Sequence, residues 1–185
     1  MKKVVVITGT PCSGKTTISE KLLKRIGNSE LIKANEVVKD KGLFTGYSKD
    51  REMIADMTAL KKEVERRIRA SKAELVIVEG HLLCDTAIRG AVAIVIREHL
   101  KTLLARMKKR RYRKGKIEGN IVSEAIDYCG VNSEENYMEV HEVMGGSSAV
   151  ADIESIIKGG KKGDGHIDML GELNGLAKKL GKQVI

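Results

Sequence analysis

The chain of 185 residues has no tryptophan, one phenylalanine and one proline, and aromatic residues make up only 3% of it. So thin an aromatic content argues against a surface that reads single-stranded nucleic acid by stacking successive bases. No apolar stretch approaches the roughly 18 residues of a membrane-spanning helix, so no membrane partner is expected. Cysteine is scarce as well. Cys12, Cys84 and Cys129 stand at wide, irregular spacing without a C-x-x-C pair, so neither a disulfide framework nor a zinc site is indicated, and a reducing cytoplasm is the expected compartment. The opening Met1-Lys2-Lys3 leads into an apolar run too short for a secretory signal. One proline and 42% hydrophobic residues argue against a disordered or collagen-like chain, and one domain with one core is expected.

Positive charge is what the chain has in excess. Lys and Arg number 34 against 25 Asp and Glu, a net charge of +9, which favours polyanionic partners such as nucleotides, RNA or both. Part of that excess is concentrated between Arg106 and Lys116, where only Met107, Tyr112 and Gly115 are not basic.

The most specific local signal is Gly9-Thr10-Pro11-Cys12-Ser13-Gly14-Lys15-Thr16. It fits the phosphate-loop pattern G-x-x-x-x-G-K-[ST] and directly follows the apolar run Val4-Val5-Val6-Ile7. A buried strand that breaks into a glycine-bounded turn aims backbone N–H groups inward, and the helix expected from 15 to 25 adds the positive end of its dipole. That is a cradle for a triphosphate. Lys15 has the reach for the β- and γ-phosphates, and the Thr16 hydroxyl suits Mg²⁺.

Strand-like and helix-like segments alternate along the chain, which predicts an α/β fold with a mostly parallel sheet. Buried strands are expected at 3–8, 31–34, 74–78 and 91–96, with a weaker fifth at 137–143. Helices are expected at 15–25, 50–72, 98–109, 117–129 and 149–157. Gly42 to Tyr47 and Arg111 to Gly115 read as loops where mobile flaps would lie. Gly159 to Gly165 reads as a linker, followed by a helical stripe from Asp168 to Leu180 that docks on the core or serves a partner.

A phosphate loop needs a partner acid. The run Leu75-Val76-Ile77-Val78 ends in Glu79, and ligands of parallel sheets collect beyond the carboxyl ends of the strands, so Glu79 is the candidate acid, binding Mg²⁺ directly or through its waters. His81 could orient a water or bond a phosphate, or simply pack. The basic run sits where a lid would close, and Arg110 is its best candidate for neutralising a transferred phosphoryl group, with Arg106 one turn earlier. The alternatives for this run are a solvated helix end or a contact for RNA phosphates beside Tyr112.

Taken together, Gly9-Thr10-Pro11 with Ser13-Gly14-Lys15-Thr16-Thr17, the segment Gly42 to Tyr47, Val78-Glu79-Gly80-His81, and Arg110 with Tyr112 resemble adenylate kinase isoenzyme 6, a family of broad-specificity nucleoside monophosphate kinases. The resemblance implies a three-layer, doubly wound parallel sheet of about five strands. It implies a kinase core over 1–158, with a monophosphate flap near 33–53 and a short lid near 109–119, followed by a linker and C-terminal helix over 159–185. It implies transfer of the γ-phosphoryl of ATP to AMP or another nucleoside monophosphate with Mg²⁺, through Lys15, Arg110, Glu79 and His81, with Lys39 and Arg51 on the monophosphate side. ATPase activity, transient contact with a small-subunit ribosomal protein and pre-ribosomal RNA, and a part in rRNA maturation are implied too. The chain departs from the family pattern at Cys12 and Arg111, where the family has glycine, and at Lys39, where it has arginine. Three readings follow: a monophosphate kinase, an ATP-driven assembly factor, or a small-metabolite kinase on the same fold.

Overall fold

The architecture comes from a computed structural model that describes residues 2–48 and 53–179, the side chains of 177–179 excepted. Five short, β-branched runs form one fully parallel sheet. These are β1 (Lys3–Thr8), β2 (Ser29–Lys33), β5 (Leu75–Glu79), β6 (Ala91–Arg97) and β7 (Val140–Met144), in the order β2-β5-β1-β6-β7. Strands so placed are covered on both faces, which is why their sequences read as continuous apolar runs. Alternate residues go to opposite layers. Val6, Val76, Val78 and Ala93 pack with Val37, Leu60 and Val64, from helices α2 (Ala34–Lys41) and α3 (Met57–Ala70). Val5, Ile7, Ile77, Ile94 and Ile96 pack with Ile18 and Leu22 of α1 (Lys15–Arg25) and Ile153 of α7 (Ala149–Ile157). The result is the α/β fold with a parallel sheet that the alternation predicted, in the doubly wound, five-stranded form that the resemblance implied.

Several boundaries differ from the sequence reading. The helix expected from 50 starts at Met57, because the Asp56 side chain accepts the Ala59 N–H at 2.9 Å and fixes the N-terminus there. Ahead of it, Met53–Ala55 (β4) pairs antiparallel with Phe44–Tyr47 (β3), so the segment from Gly42 to Tyr47 is half of a hairpin and not a loop. The helix α2 (Ala34–Lys41) also went unread, being only two turns long, and it takes Ala34 from the strand expected at 31–34. The helix expected at 117–129 is two helices, α5 (Lys114–Ala125) and α6 (Tyr128–Asn136), so the loop expected up to Gly115 ends earlier than read. Asp127 between them takes φ +56°, which ends one helix, and its carboxylate caps the next through Gly130 N–H at 3.1 Å.

A third apolar cluster lies outside the sandwich. Leu100, Leu103 and Met107 of α4 (Leu100–Lys109) and Ile121 and Ala125 of α5 meet Met169, Leu173 and Leu176 around α8 (Leu170–Lys179). Glu172 accepts the Leu100 N–H at 3.0 Å, so the C-terminal helix caps the start of α4 as well as packing on it. The segment 163–167 also binds β7, with Asp164 N–H donating to the Glu142 carbonyl at 2.8 Å. Among the described residues, no helix is long and apolar enough to cross a membrane.

Candidate active site

Gly9 ends β1 with φ +131°, and a Cβ there would collide with the Ile96 carbonyl oxygen of β6. Only glycine lets the chain turn this close to the neighbouring strand. The turn closes through Ser13 N–H to the Thr10 carbonyl at 3.1 Å and hands over to α1 at Gly14, φ +103°. No side chain caps α1, so its first N–H groups remain available to an anion. Within the same turn the buried hydroxyls of Thr10 and Ser13 have no hydrogen-bond partner. Buried donors left unmade are costly, and a ligand that accepts from them recovers that cost.

Lys15 is buried at 6% exposure and donates to the Thr10 carbonyl at 2.9 Å, folded back over its own loop. Burial pushes its ammonium pKa down, and the nearby Glu79 carboxylate opposes that shift. Glu79 stands at the carboxyl end of β5, its own pKa raised by burial and lowered by Lys15 and by a hydrogen bond from Thr16. The Thr16 hydroxyl and the Glu79 carboxylate therefore sit side by side, an all-oxygen pair of the kind Mg²⁺ prefers. The residues present fit that ion.

These groups line a cavity of about 530 Å³ that also receives Pro11, Cys12, His81, Arg110, Tyr112, Asn120 and Ser123. His81, whose carbonyl accepts from Thr8 Oγ1 at 3.4 Å, opens a 3₁₀ turn, His81–Asp85. Arg110 ends α4 with its Nη1 3.5 Å from Cys12 Sγ. Arg106 takes a different place. Its guanidinium donates to the Cys12 carbonyl at 3.0 Å and pairs with Glu98 at 2.8 Å, so it buttresses the loop from outside the cavity. The segment expected as a lid comprises the end of α4 and the start of α5, and Lys116 lies over the Tyr112 ring at 4.6 Å.

A second cavity, of about 740 Å³, shares Asn35, His81, Asp85 and Lys116 with the first and is otherwise walled by α2 and the hairpin, including Lys39, Tyr47 and Ile54. Lys39 is therefore separated from the phosphate loop by this common wall. Arg51 lies outside the described residues. Sequence reading missed Asn35, Asp85, Asn120 and Ser123. Asn35 alone had a usable signal, since it follows a parallel strand's carboxyl end.

Cys12 and Arg111 have φ of +73° and +57°. Both positions where the resemblance expects glycine thus hold the left-handed backbone that glycine tolerates best, at a cost of about 1–2 kcal/mol for an ordinary side chain. Thr17, the last residue of the loop motif, lies inside the first turn of α1.

The AAA domain family matches residues 5–127 of this chain. A Methanosarcina barkeri protein named "Putative adenylate kinase" is 32% identical over 156 residues, 84% of either chain. One of the same name from Methanothermobacter thermautotrophicus is 35% identical across 93% of this chain and 100% of its own. Shikimate kinase from Acinetobacter baumannii, in complex with shikimate, has a TM-score of 0.60 at 14% identity, covering 87% of this chain and 96% of that one. Shikimate kinase from Aquifex aeolicus has 0.53 at 17%, covering 84% and 96%. At such identities these likenesses speak for the fold, an α/β sandwich of the P-loop kinase kind.

Proposed function

Because the chain belongs to the AAA-domain family of P-loop proteins and groups there with archaeal adenylate kinase homologues, we propose that it is a nucleoside monophosphate kinase. It moves the γ-phosphoryl of ATP to AMP or a related monophosphate. The observation that carries this reading is the pair of cavities joined at Asn35, His81, Asp85 and Lys116, one walled by the phosphate loop and the other by the hairpin. A donor and an acceptor held on either side of such a junction are positioned for in-line transfer.

Each residue then has a definite task. Lys15 leaves the Thr10 carbonyl for the β- and γ-phosphates, and the Thr10 and Ser13 hydroxyls and the N–H groups of Gly14, Lys15 and Thr16 take the remaining oxygens. Thr17 belongs to the same helix start. Thr16 and Glu79 would hold Mg²⁺, which would screen the phosphate charge. Arg110 neutralises charge on the transferred group from the lid side. No general base is needed when the acceptor is already a phosphate oxygen. Lys39 and Arg51 serve the acceptor phosphate.

The likeness to adenylate kinase isoenzyme 6 extends the proposal to ATP hydrolysis in small-subunit assembly, with a ribosomal protein and pre-ribosomal RNA as partners. His81 supports that extension, since it borders both cavities two residues after Glu79. A single assay separates the readings: ATP turnover with AMP, CMP, UMP, GMP, shikimate or no acceptor, repeated with purified small-subunit proteins. The kinase reading expects diphosphate formation to exceed acceptor-free hydrolysis. Equal turnover with and without every monophosphate would falsify it, and stimulation by a ribosomal protein alone would favour the assembly ATPase.

A further inference from the structure

Two cysteines that the kinase reading leaves without a task meet in the wall of the nucleotide cavity. Cys84 lies in the 3₁₀ turn and Cys129 in the first turn of α6, with their sulfurs 3.7 Å apart. Both are reduced and buried, at 1% and 7% exposure, yet both border the cavity that holds Lys15 and Glu79. A disulfide needs the sulfurs at about 2.0 Å, so less than about 2 Å of approach separates the two states.

The two segments are already held in register. Asp85 accepts from Tyr128 Oη at 2.9 Å and from Asn132 Nδ2 at 2.7 Å, and Asn136 Nδ2 donates to the Cys84 carbonyl at 3.0 Å. Neither sulfur can drift away from the other while these bonds stand. The two thiols are also unlike each other. The Cys84 sulfur is within hydrogen-bond reach of the His81 carbonyl at 3.2 Å as well as of Cys129; its contact with Cys129, together with the Lys15 charge, lowers the Cys129 pKa, while that same contact and burial raise Cys84. The N-terminal end of α6 adds its dipole in favour of a Cys129 thiolate.

We propose that Cys84 and Cys129 are a hydroperoxide-sensitive thiol pair, closing to a disulfide that locks the His81–Asp85 turn against α6 and stops nucleotide turnover. Cys129 thiolate attacks a peroxide oxygen, the O–O bond breaks, and the product is a Cys129 sulfenic acid with water or an alcohol leaving. Cys84 sulfur then attacks the sulfenic sulfur, forming the S–S bond and releasing water. Two thiols are oxidised by two electrons and one peroxide is reduced. The turn so locked carries His81 and Asp85, half of the wall shared by donor and acceptor cavities, and the linked sulfurs reshape the floor beside Lys15.

The activity arm of this proposal rests on the kinase reading; the covalent arm does not. The reduced protein is treated with hydrogen peroxide, denatured, alkylated and mapped by mass spectrometry, with and without MgATP, while ATP turnover is followed. The expected product is lighter by about 2 Da, joins the Cys84 and Cys129 peptides, leaves Cys12 alkylated, forms more slowly with MgATP, and regains its turnover with dithiothreitol after a loss of at least about tenfold. In Cys84→Ala a dimedone-trapped sulfenic acid at Cys129 replaces the cross-link. The proposal is overturned if both thiols stay alkylatable, if Cys12 enters the link, if Cys129 gains oxygen without linking in the unaltered protein, or if the linked protein turns over at the reduced rate. Should the reduced protein show no turnover at all, the peptide map alone still decides whether the pair forms.

Discussion

Among the described residues, two clusters of buried charge are built on opposite plans. Around Lys15 and Glu79 the polar groups face an open cavity, and the neighbouring Thr10 and Ser13 hydroxyls lack partners. Around Arg97, 1% exposed, the polar groups face one another. Its Nε meets Glu124 at 3.1 Å, its Nη1 meets Asp127 at 2.6 Å and Glu142 at 2.7 Å, and its Nη2 donates to the Glu124 carbonyl at 2.8 Å. Burial works against the guanidinium charge, but the three carboxylates outweigh it and hold its pKa above the ordinary value. The acids are shared further: Glu98 N–H donates to Glu124 and Ile167 N–H to Glu142. Buried charge by itself therefore does not mark a site. The proposed site rests instead on unmade hydrogen bonds beside the cavity that holds Lys15.

The widest break in the comparison is expected at Lys15. Lys15→Ala removes the cation proposed to leave the loop for the phosphates, and phosphoryl transfer should fall on the order of 10³- to 10⁵-fold. Retained turnover in this variant, measured by coupled ADP release, would refute the assigned site. Arg97→Met should do the reverse. It removes the guanidinium that three buried carboxylates share and should cost about 3–5 kcal/mol in urea unfolding, while turnover per folded molecule stays near the unaltered level. A stability change below about 1 kcal/mol would mean the cluster is not paired as described.

The same contrast explains what was legible in the sequence. The phosphate loop is contiguous, and its glycines, lysine and threonine announce themselves within eight residues; Glu79 is one strand end away from a rule that finds it. Arg97, Glu124, Asp127 and Glu142 come from β6, α5, the α5–α6 junction and β7, so no local spacing brings them together. Cys84 and Cys129 are 45 residues apart and read as unrelated until the 3₁₀ turn and α6 are seen side by side. The hairpin escaped notice because strands of three and four residues carry too little alternation to register. α6 escaped because Asp127 at positive φ restarts a helix that periodicity alone would have run straight through.

A smaller effect separates the clusters by pH. Burial first, then the Glu142 charge, raise Asp127 to about 6 against the opposing pull of Arg97, from an ordinary value of 3.8. Between those values the folded state binds more protons than the unfolded chain, so the stability Asp127 contributes is complete below about pH 4 and is lost as pH rises through about 6. That difference amounts to about 2–3 kcal/mol. Asp127→Asn should flatten this part of the profile relative to the unaltered protein when urea midpoints are compared from about pH 4 to about pH 7. Parallel profiles would contradict the raised value.

The smallest effect lies in the loop backbone. Cys12 holds φ +73° while its side chain, 8% exposed, packs with Leu103 and Met107. Asp127 also has positive φ, but aspartate accepts that region more readily than cysteine, so the strain is greater at the ligand side than in the ion cluster. Cys12→Ala keeps the left-handed penalty and gives up the sulfur contacts. Cys12→Gly gives up the same contacts, removes the penalty, and loses part of the gain to a more disordered unfolded chain. The glycine variant should therefore be more stable than the alanine variant by about 1 kcal/mol in urea unfolding. The reverse order would mean that the loop carries no backbone strain at Cys12.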